Sequence, residues 1–144
     1  MSDAVVQEFA DQIIAAGQSN QKICITGSGS KDWYGAPLQG KKLSTLQYSG
    51  IISYQPDELV ITVKAGTSLR EVEAVLETKN QQFSFEPPHY GANATIGGMV
   101  CAGLAGPGRI SAGSLRDFVL GVNVMDGKGQ ILTFGGTVMK NVAG

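Results

Sequence analysis

The sequence has few of the residues that mark several common classes of protein. It contains two cysteines, one histidine and one tryptophan, and charged residues make up only 16% of the chain. Cys24 and Cys101 stand in apolar stretches without the spacing of a metal site. This placement favours two core thiols in a cytoplasmic protein.

Charge clusters and long apolar runs are also missing. The net charge is −1, and no basic cluster exceeds Lys41-Lys42, which argues against a nucleic-acid partner. No apolar run approaches the roughly 20 residues that cross a bilayer, and Met1-Ser2-Asp3 does not open a secretory signal. With 42% hydrophobic residues, the 144-residue chain suits one globular domain. We therefore expect a cytoplasmic protein without direct membrane insertion.

Glycine, in contrast, is abundant and unevenly distributed. Of the 20 glycines, 13 lie in residues 91–144. Ordered glycine costs conformational entropy, so this concentration indicates either flexibility or a backbone that must approach something closely. The apolar residues between these glycines favour close approach.

Three helices are predicted from apolar periodicity. The first covers residues 3–16, with Ser2 or Asp3 as its cap and Gly17 at its end. The second starts at Thr67 or Ser68 with a Ser68/Glu71 capping box. Its buried stripe is formed by Leu69, Val72, Val75 and Leu76. The third is a closely packed helix over residues 96–105, which follows a proline loop at residues 86–91.

Strands are predicted between these helices. The first covers residues 22–26, two short strands at 43–46 and 51–54 join around Gly50, and the clearest strand covers 58–63. Residues 118–125 and 130–134 form a hairpin around the turn at 126–129. The pattern is mixed, with helices and strands interleaved. Residues 137–144 are largely apolar and uncapped, which suggests that the chain is interrupted there.

The first candidate site follows the first strand. Gly27-Ser28-Gly29-Ser30-Lys31 can form a nest of backbone N–H groups, with two hydroxyls as further donors, that suits the phosphates of a dinucleotide. The Gly-x-Gly-x-x-Gly fingerprint fails because Asp32 occupies its last position, and no P-loop ending is present. The alternative is an ordinary surface turn.

The second candidate site is Ala94-Thr95-Ile96-Gly97-Gly98 at the start of the third helix. Two residues without Cβ would let a ligand sit on exposed N–H groups at the positive end of the helix dipole. The alternative is that the glycines only allow close helix packing. Two such segments in one small domain favour a ligand that carries a pyrophosphate.

These segments, in this order, resemble a known family. The chain is similar to the FAD-binding domain of vanillyl-alcohol-oxidase-type and p-cresol-methylhydroxylase-type flavoproteins. The similarity rests on residues 25–30, 59–69, 94–98 and 113–121. Residues 86–91, 103–107 and 134–144 further resemble the FAD-binding subunits of bacterial glycolate oxidases.

The resemblance implies an α+β fold with mixed sheets flanked by helices. Residues 1–144 would be the N-terminal portion of the FAD-binding domain, without the rest of that domain or the substrate domain. A chain of this extent would be inactive alone.

The resemblance also assigns site residues by position. Gly27, Ser28, Gly29, Ser30 and Lys31 would hold the pyrophosphate of FAD. The residues that would line the ribityl and phosphate path are Pro88, Gly91, Thr95, Ile96, Gly97, Gly98 and Met99. Gly113, Ser114 and Asp117 would lie near the flavin ring or its ribityl chain.

The first loop departs from some relatives because it lacks the histidine that attaches flavin covalently, so we expect non-covalent FAD. His89 is interpreted as a structural or flavin-edge residue, with a general base or a covalent attachment point as alternatives. Arg109 and Arg116 could meet a carboxylate, although lone arginines are more often solvated or ion-paired. No catalytic residue and no metal ligand is assigned.

The function implied is oxidation of a 2-hydroxy acid, such as glycolate or D-lactate, with electrons passed to partner subunits. These partners would be a second flavoprotein and an iron–sulfur protein, and they could hold the chain at the inner face of the membrane. The chain has no cysteine cluster for an iron–sulfur centre. The alternatives are a non-catalytic scaffold subunit with a flavin fold, or another FAD-linked enzyme such as a D-lactate dehydrogenase.

Overall fold

The fold begins with an amphipathic helix, α1, at Ala4–Gln18. A computed structural model describes residues 4–37 and 39–137 of the chain. Gly17 lies inside α1 rather than after it, so the predicted end is two residues short. Two predictions fall on residues outside the described ranges. These are the cap at Ser2 or Asp3 and the interruption of the chain, of which only residue 137 is described.

Six strands form three sheets of two strands each among the described residues. Strands β1 (Ile23–Thr26) and β2 (Lys41–Ser44) pair in parallel. Strands β3 (Ile51–Gln55) and β4 (Val60–Val63) pair antiparallel, as do β5 (Gly121–Met125) and β6 (Ile131–Gly135).

The two predicted short strands on either side of Gly50, at 43–46 and 51–54, do not pair with each other. The first of these segments pairs with β1, and the second pairs with β4. Gly50 has φ of +118°, accepts a hydrogen bond from Lys64 N at 3.0 Å and donates to Thr67 Oγ1 at 2.9 Å. These bonds direct the chain toward β4 instead of back along β2.

Two strand boundaries also differ from the prediction. Pro56–Glu58 forms a 3₁₀ turn and Leu59 has φ of +56°, so β4 starts only at Val60. Phe118 belongs to a short helix, and β5 therefore starts at Gly121. The turn at 126–129 is confirmed: Asp126 Oδ1 accepts from the N–H groups of Lys128 and Gln130, each at 2.8 Å.

Helix α2 covers Leu69–Glu77, and Leu69, Val72 and Leu76 of its predicted stripe are buried. The predicted Ser68/Glu71 capping box is wrong, because Ser68 makes no side-chain cap. The N–H of Leu69 instead donates to the carbonyl oxygen of Ala94 at 2.8 Å. The segment before α3 thus supplies an acceptor for the first N–H of α2, a different group from the Glu71 N–H that a capping box would satisfy.

Helix α3 covers Ile96–Ala102 and is shorter than predicted, since Gly103 ends it in the left-handed conformation with φ of +63°. Two further short helices were not predicted: α4 (Arg109–Ala112) and α5 (Leu115–Phe118). The main core joins α2, α3 and α5 with the loop between α2 and α3. It consists of Leu69, Val72, Leu76, Phe85, Ala94, Ile96, Met99, Ala105 and Leu115.

Candidate functional site

The segment Ala65-Gly66-Thr67 connects this core to the loop after β2. A Cβ on Gly66 would meet the carbonyl oxygens of Thr45, Tyr48 and Leu46, so only glycine fits there. Thr67 is fully buried, and its hydroxyl lies 2.7 Å from the carbonyl oxygen of Lys64. Thr67 O in turn accepts from the N–H of Ile96 at 2.9 Å, which fixes the start of α3 beside β4.

Beyond β1, the loop of residues 27–31 and the start of α3 meet. They line one cavity of about 100 Å³ together with the end of β1. Its lining residues are Ile25, Thr26, Gly27, Ser28, Gly29, Ser30, Lys31, Asp32, Thr95 and Gly98. The two segments that the sequence singled out separately therefore form one site.

The contact between the two segments is close. A Cβ on Gly27 would lie 2.7 Å from Thr95 Oγ1, and a Cβ on Gly98 would lie 3.1 Å from the same atom. Thr95 is buried, and its Oγ1 caps α3 by accepting from Gly98 N at 3.2 Å. Glycine at positions 27 and 98 is therefore what allows Thr95 to sit between the loop and the helix.

Backbone donors of the loop are available for a ligand. Within residues 4–37 and 39–137, the N–H groups of residues 27–31 have no hydrogen-bond acceptor. Ser28 Oγ is buried and also lacks a partner among the described residues. An orphaned buried hydroxyl in a cavity bordered by successive N–H groups suits an anion with several oxygen atoms.

At the start of α3 the expectation of exposed N–H groups is not met. Ile96 N donates to Thr67 O, Gly97 N donates to Ala65 O at 2.8 Å, and Gly98 N donates to Thr95 Oγ1. A Cβ on Gly97 would lie 2.9 Å from both Ala65 O and Ala65 Cβ. Gly97 thus serves close packing, the alternative raised from the sequence.

The remaining predicted site residues lie elsewhere in the structure. The side chains of Ile96 and Met99 belong to the core. None of Pro88, Gly91, Gly97, Gly113, Ser114 and Asp117 is among the residues that line this cavity. Their contact with a cofactor stays a prediction.

Ser114 and Asp117 bind each other at the start of α5. Asp117 Oδ2 accepts from Ser114 N at 2.7 Å and from Ser114 Oγ at 2.8 Å. These hydrogen bonds, with smaller contributions from Arg116 and Arg109, hold the pKa of Asp117 below its ordinary value of 3.8. The two arginines are exposed on this surface and do not line the cavity.

His89 binds α2 rather than the glycine loop. Its Nε2 lies 2.9 Å from Glu73 Oε1, whereas Nδ1 is buried without a partner among the described residues. The next residue, Tyr90, has φ of +44°, and its ring packs edge-on against Trp33 with centroids 5.3 Å apart. This aromatic contact was not predicted from the sequence, although Trp33 closely follows the first candidate segment and Tyr90 closely precedes the second.

A second cavity of about 160 Å³ lies beside the first and shares Thr26 and Asp32 with it. Cys24, Gly40 and Lys42 complete its lining. Cys24 is buried and Cys101 is exposed, so only the first is the core thiol expected from the sequence. Across the described ranges, no helix has the length and apolar character that a membrane crossing needs.

Comparison with known proteins agrees with this architecture. Residues 5–135 match the family described as FAD binding domain. Glycolate oxidase subunit GlcE of Escherichia coli (strain K12) is 49% identical over 138 residues, which cover 96% of this chain and 39% of that protein. A D-lactate dehydrogenase of Archaeoglobus fulgidus is 29% identical over 111 residues, covering 76% of this chain and 23% of that protein.

Among solved structures, the xylooligosaccharide oxidase of Myceliophthora thermophila C1 superposes with a TM-score of 0.72 at 19% identity. The match covers 92% of this chain and 28% of that chain, and it concerns the fold alone. The chain thus spans about two fifths or less of the relatives it matches. Since the family match covers most of its length, the chain belongs to the FAD binding domain family.

Proposed function

We propose that residues 27–31, Thr95 and Gly98 hold the pyrophosphate of FAD, bound without a covalent link. The observation that carries this proposal is the row of five N–H groups without acceptors that borders the cavity with the buried hydroxyl of Ser28. Lys31 adds a positive charge and Asp32 a negative charge to the same lining, so the preference for a phosphate rests on the N–H groups rather than on net charge.

The non-covalent mode is supported by the position of the only histidine. His89 contacts Glu73, and the glycine loop contains no histidine. FAD, when bound, supplies the acceptor for two electrons, and the protein supplies binding and orientation. In this chain the glycine loop would hold the phosphates, while Thr95 keeps the loop against α3.

We further propose that the whole protein oxidises a 2-hydroxy acid, with glycolate as the first substrate to test. Support comes from the 49% identity to a glycolate oxidase subunit, against 29% to a D-lactate dehydrogenase. Because that relative is a subunit, we propose that electrons pass to partner proteins, a second flavoprotein and an iron–sulfur protein. Within the described ranges, no group of three or more His, Cys, Asp or Glu side chains could hold a metal ion.

The cofactor proposal is tested by titrating the chain with FAD and following heat and flavin absorbance. We expect saturable one-to-one binding, weaker in Gly27→Ala and unchanged in Gly17→Ala, whose new methyl group would meet nothing within 4 Å. Equal binding by all three proteins would refute the assignment of the loop.

The substrate proposal needs the full-length protein with its partners. Turnover of glycolate in preference to D-lactate would support it, and the reverse order would favour a D-lactate dehydrogenase. A complex that is fully active without flavin on this subunit would favour a scaffold role.

A further inference from the structure

Trp33 has a large side chain that takes no part in the main core. It is 66% exposed, yet its indole N–H donates to the carbonyl oxygen of Ser30 at 3.2 Å. Its ring contacts two others edge-on: Tyr34 with centroids 5.7 Å apart and Tyr90 with centroids 5.3 Å apart. An exposed indole held by three contacts calls for an explanation other than burial.

The hydrogen bond of Trp33 belongs to a series along the glycine loop. The carbonyl oxygen of Gly29 accepts from Asp32 N at 3.0 Å, and that of Lys31 accepts from Tyr34 N at 2.9 Å. The carbonyl oxygen of Ser30, between them, accepts from the Trp33 side chain. Three successive carbonyl groups are thus bound by donors from residues 32–34.

The orientation of these carbonyl groups determines where the N–H groups point. In a planar trans peptide unit the C=O and the following N–H point in opposite directions. Holding the carbonyl of Ser30 therefore turns the N–H of Lys31 to the other side, where it has no acceptor in the described part of the chain. Trp33 is the side chain that fixes this peptide unit.

Tyr90 supports the same arrangement from the proline loop. Its φ of +44° is unusual for a residue with a large side chain, and this conformation places its ring against Trp33. The ammonium group of Lys31 lies 5.7 Å from the centroid of the Tyr90 ring, within the range of a cation–π contact. Tyr90 therefore contacts both Trp33 and the residue whose N–H Trp33 orients.

We propose that Trp33 is a positioning residue of the phosphate loop: it orients the N–H of Lys31 toward a bound pyrophosphate, and Tyr90 holds it in place. The inference rests on the proposed function of the loop and adds to it. Trp33 acts through the backbone of the glycine loop and does not touch the ligand. Because Tyr90 of the proline loop holds Trp33, the two loops bind the phosphates as one unit.

The test uses inorganic pyrophosphate as the probe and the 144-residue chain with ¹⁵N label. Calorimetry measures affinity, and the amide spectrum reports whether the Lys31 N–H shifts on binding. In Trp33→Phe the ring contacts are kept and the donor is removed. We expect about tenfold weaker binding, the scale of one hydrogen bond to a charged group, and loss of the Lys31 shift.

Two further variants separate positioning from a general effect on folding. Tyr90→Leu removes the support for Trp33 and should weaken binding in the same direction. Gly17→Ala in α1, whose added methyl group meets nothing within 4 Å, should leave binding unchanged. Unchanged amide signals of the core residues in each variant show that the fold is intact.

The outcomes distinguish this inference from the proposed function. Wild-type affinity and an unchanged Lys31 shift in Trp33→Phe would overturn the inference while leaving FAD binding untouched. The inference would also be overturned if pyrophosphate caused no shift of the Lys31 amide signal in the wild-type chain. If pyrophosphate shifts Lys31 in wild type only, but FAD does not bind in any form, the positioning role stands and the proposed cofactor fails.

Discussion

Thr95 and Gly27 are in direct contact across the cavity, where a Cβ on Gly27 would come within 2.7 Å of the threonine Oγ1. The residues are 68 positions apart in the chain, and this contact joins the glycine loop to the start of α3. The shape of the cavity therefore depends on glycine at position 27 and on a small side chain at position 95.

Gly27→Ala should weaken pyrophosphate and FAD binding by about tenfold or more, or about 1.4 kcal/mol, because the methyl group displaces Thr95 and the loop with it. Thr95→Ala should lower the free energy of unfolding by about 1 kcal/mol through loss of the cap on α3. The double variant Gly27→Ala/Thr95→Ala should recover part of the lost affinity, since the clash is removed. Calorimetric titration of the four proteins measures this coupling, and strictly additive losses would contradict the contact.

Gly97→Ala and Gly98→Ala should act differently although the residues are adjacent. The first places a Cβ 2.9 Å from Ala65 O and should lower the free energy of unfolding by about 1–3 kcal/mol. The second meets only Thr95 Oγ1, at 3.1 Å, and should mainly weaken pyrophosphate binding. Urea unfolding measures the first effect and calorimetry the second. If Gly97→Ala weakened binding and Gly98→Ala lowered stability instead, Gly97 would be favoured as a ligand contact.

Gly66→Ala should be among the most destabilising single-methyl changes in the chain. The added Cβ meets three carbonyl oxygens, and backbone atoms give way less easily than side chains. We expect the free energy of unfolding to fall by about 3 kcal/mol, the upper end for overpacking. The matched control is Gly17→Ala in α1, which adds a methyl group in open space and should raise stability by about 0.5–1 kcal/mol. Urea unfolding measures both changes. Similar free energies of unfolding for Gly66→Ala and Gly17→Ala would argue against the close packing of Gly66.

Asp117 should make the start of α5 sensitive to acid. Its pKa is depressed in the folded chain by the hydrogen bonds from Ser114, so its contribution is fully present above the unfolded-state value near 3.8. That contribution is lost as the pH falls through the lower folded-state pKa. The protection of the Ser114 amide against exchange, corrected for the intrinsic pH dependence of amide exchange, should therefore fall below about pH 4 in wild type.

The control for this effect is Asp117→Asn, in which the protection of the Ser114 amide should not show this acid-dependent fall. A local probe is needed because Asp126, in the hairpin turn, also has a pKa below its ordinary value through bonds from Gln130 and Lys128. Asp126→Asn should leave the behaviour of Ser114 unchanged. An acid response at Ser114 that survives in Asp117→Asn would assign it to another group.

Local patterns in the sequence predicted the elements whose partners are close by. The apolar stripe of α2 and the Asp126 turn are examples, because a helix face and a two-strand turn are decided by residues a few positions apart. The two glycine-rich segments were interpreted as sites for one ligand that carries a pyrophosphate, but the contact between them was not predicted.

What the sequence did not reveal depends on distant backbone atoms. The carbonyl of Ala94 accepts from the first N–H of α2, a long-range bond that no local pattern indicates, and the local capping box at Ser68 is not formed. The carbonyl of Ala65 occupies the N–H of Gly97, which turned an expected ligand donor into a packing position. Pairing of the segment before Gly50 with β1 likewise depends on a contact that no local pattern encodes.

The position of the only tryptophan has a practical consequence for studies of folding. Trp33 is 66% exposed and stands on the glycine loop, away from the side chains of the main core. Its fluorescence will therefore follow the local state of that loop, and its emission will already resemble that of a solvated indole in the native chain. A denaturation curve from this signal should not coincide with one from circular dichroism of the helices, and agreement between the two is the usual requirement for treating unfolding as a single step.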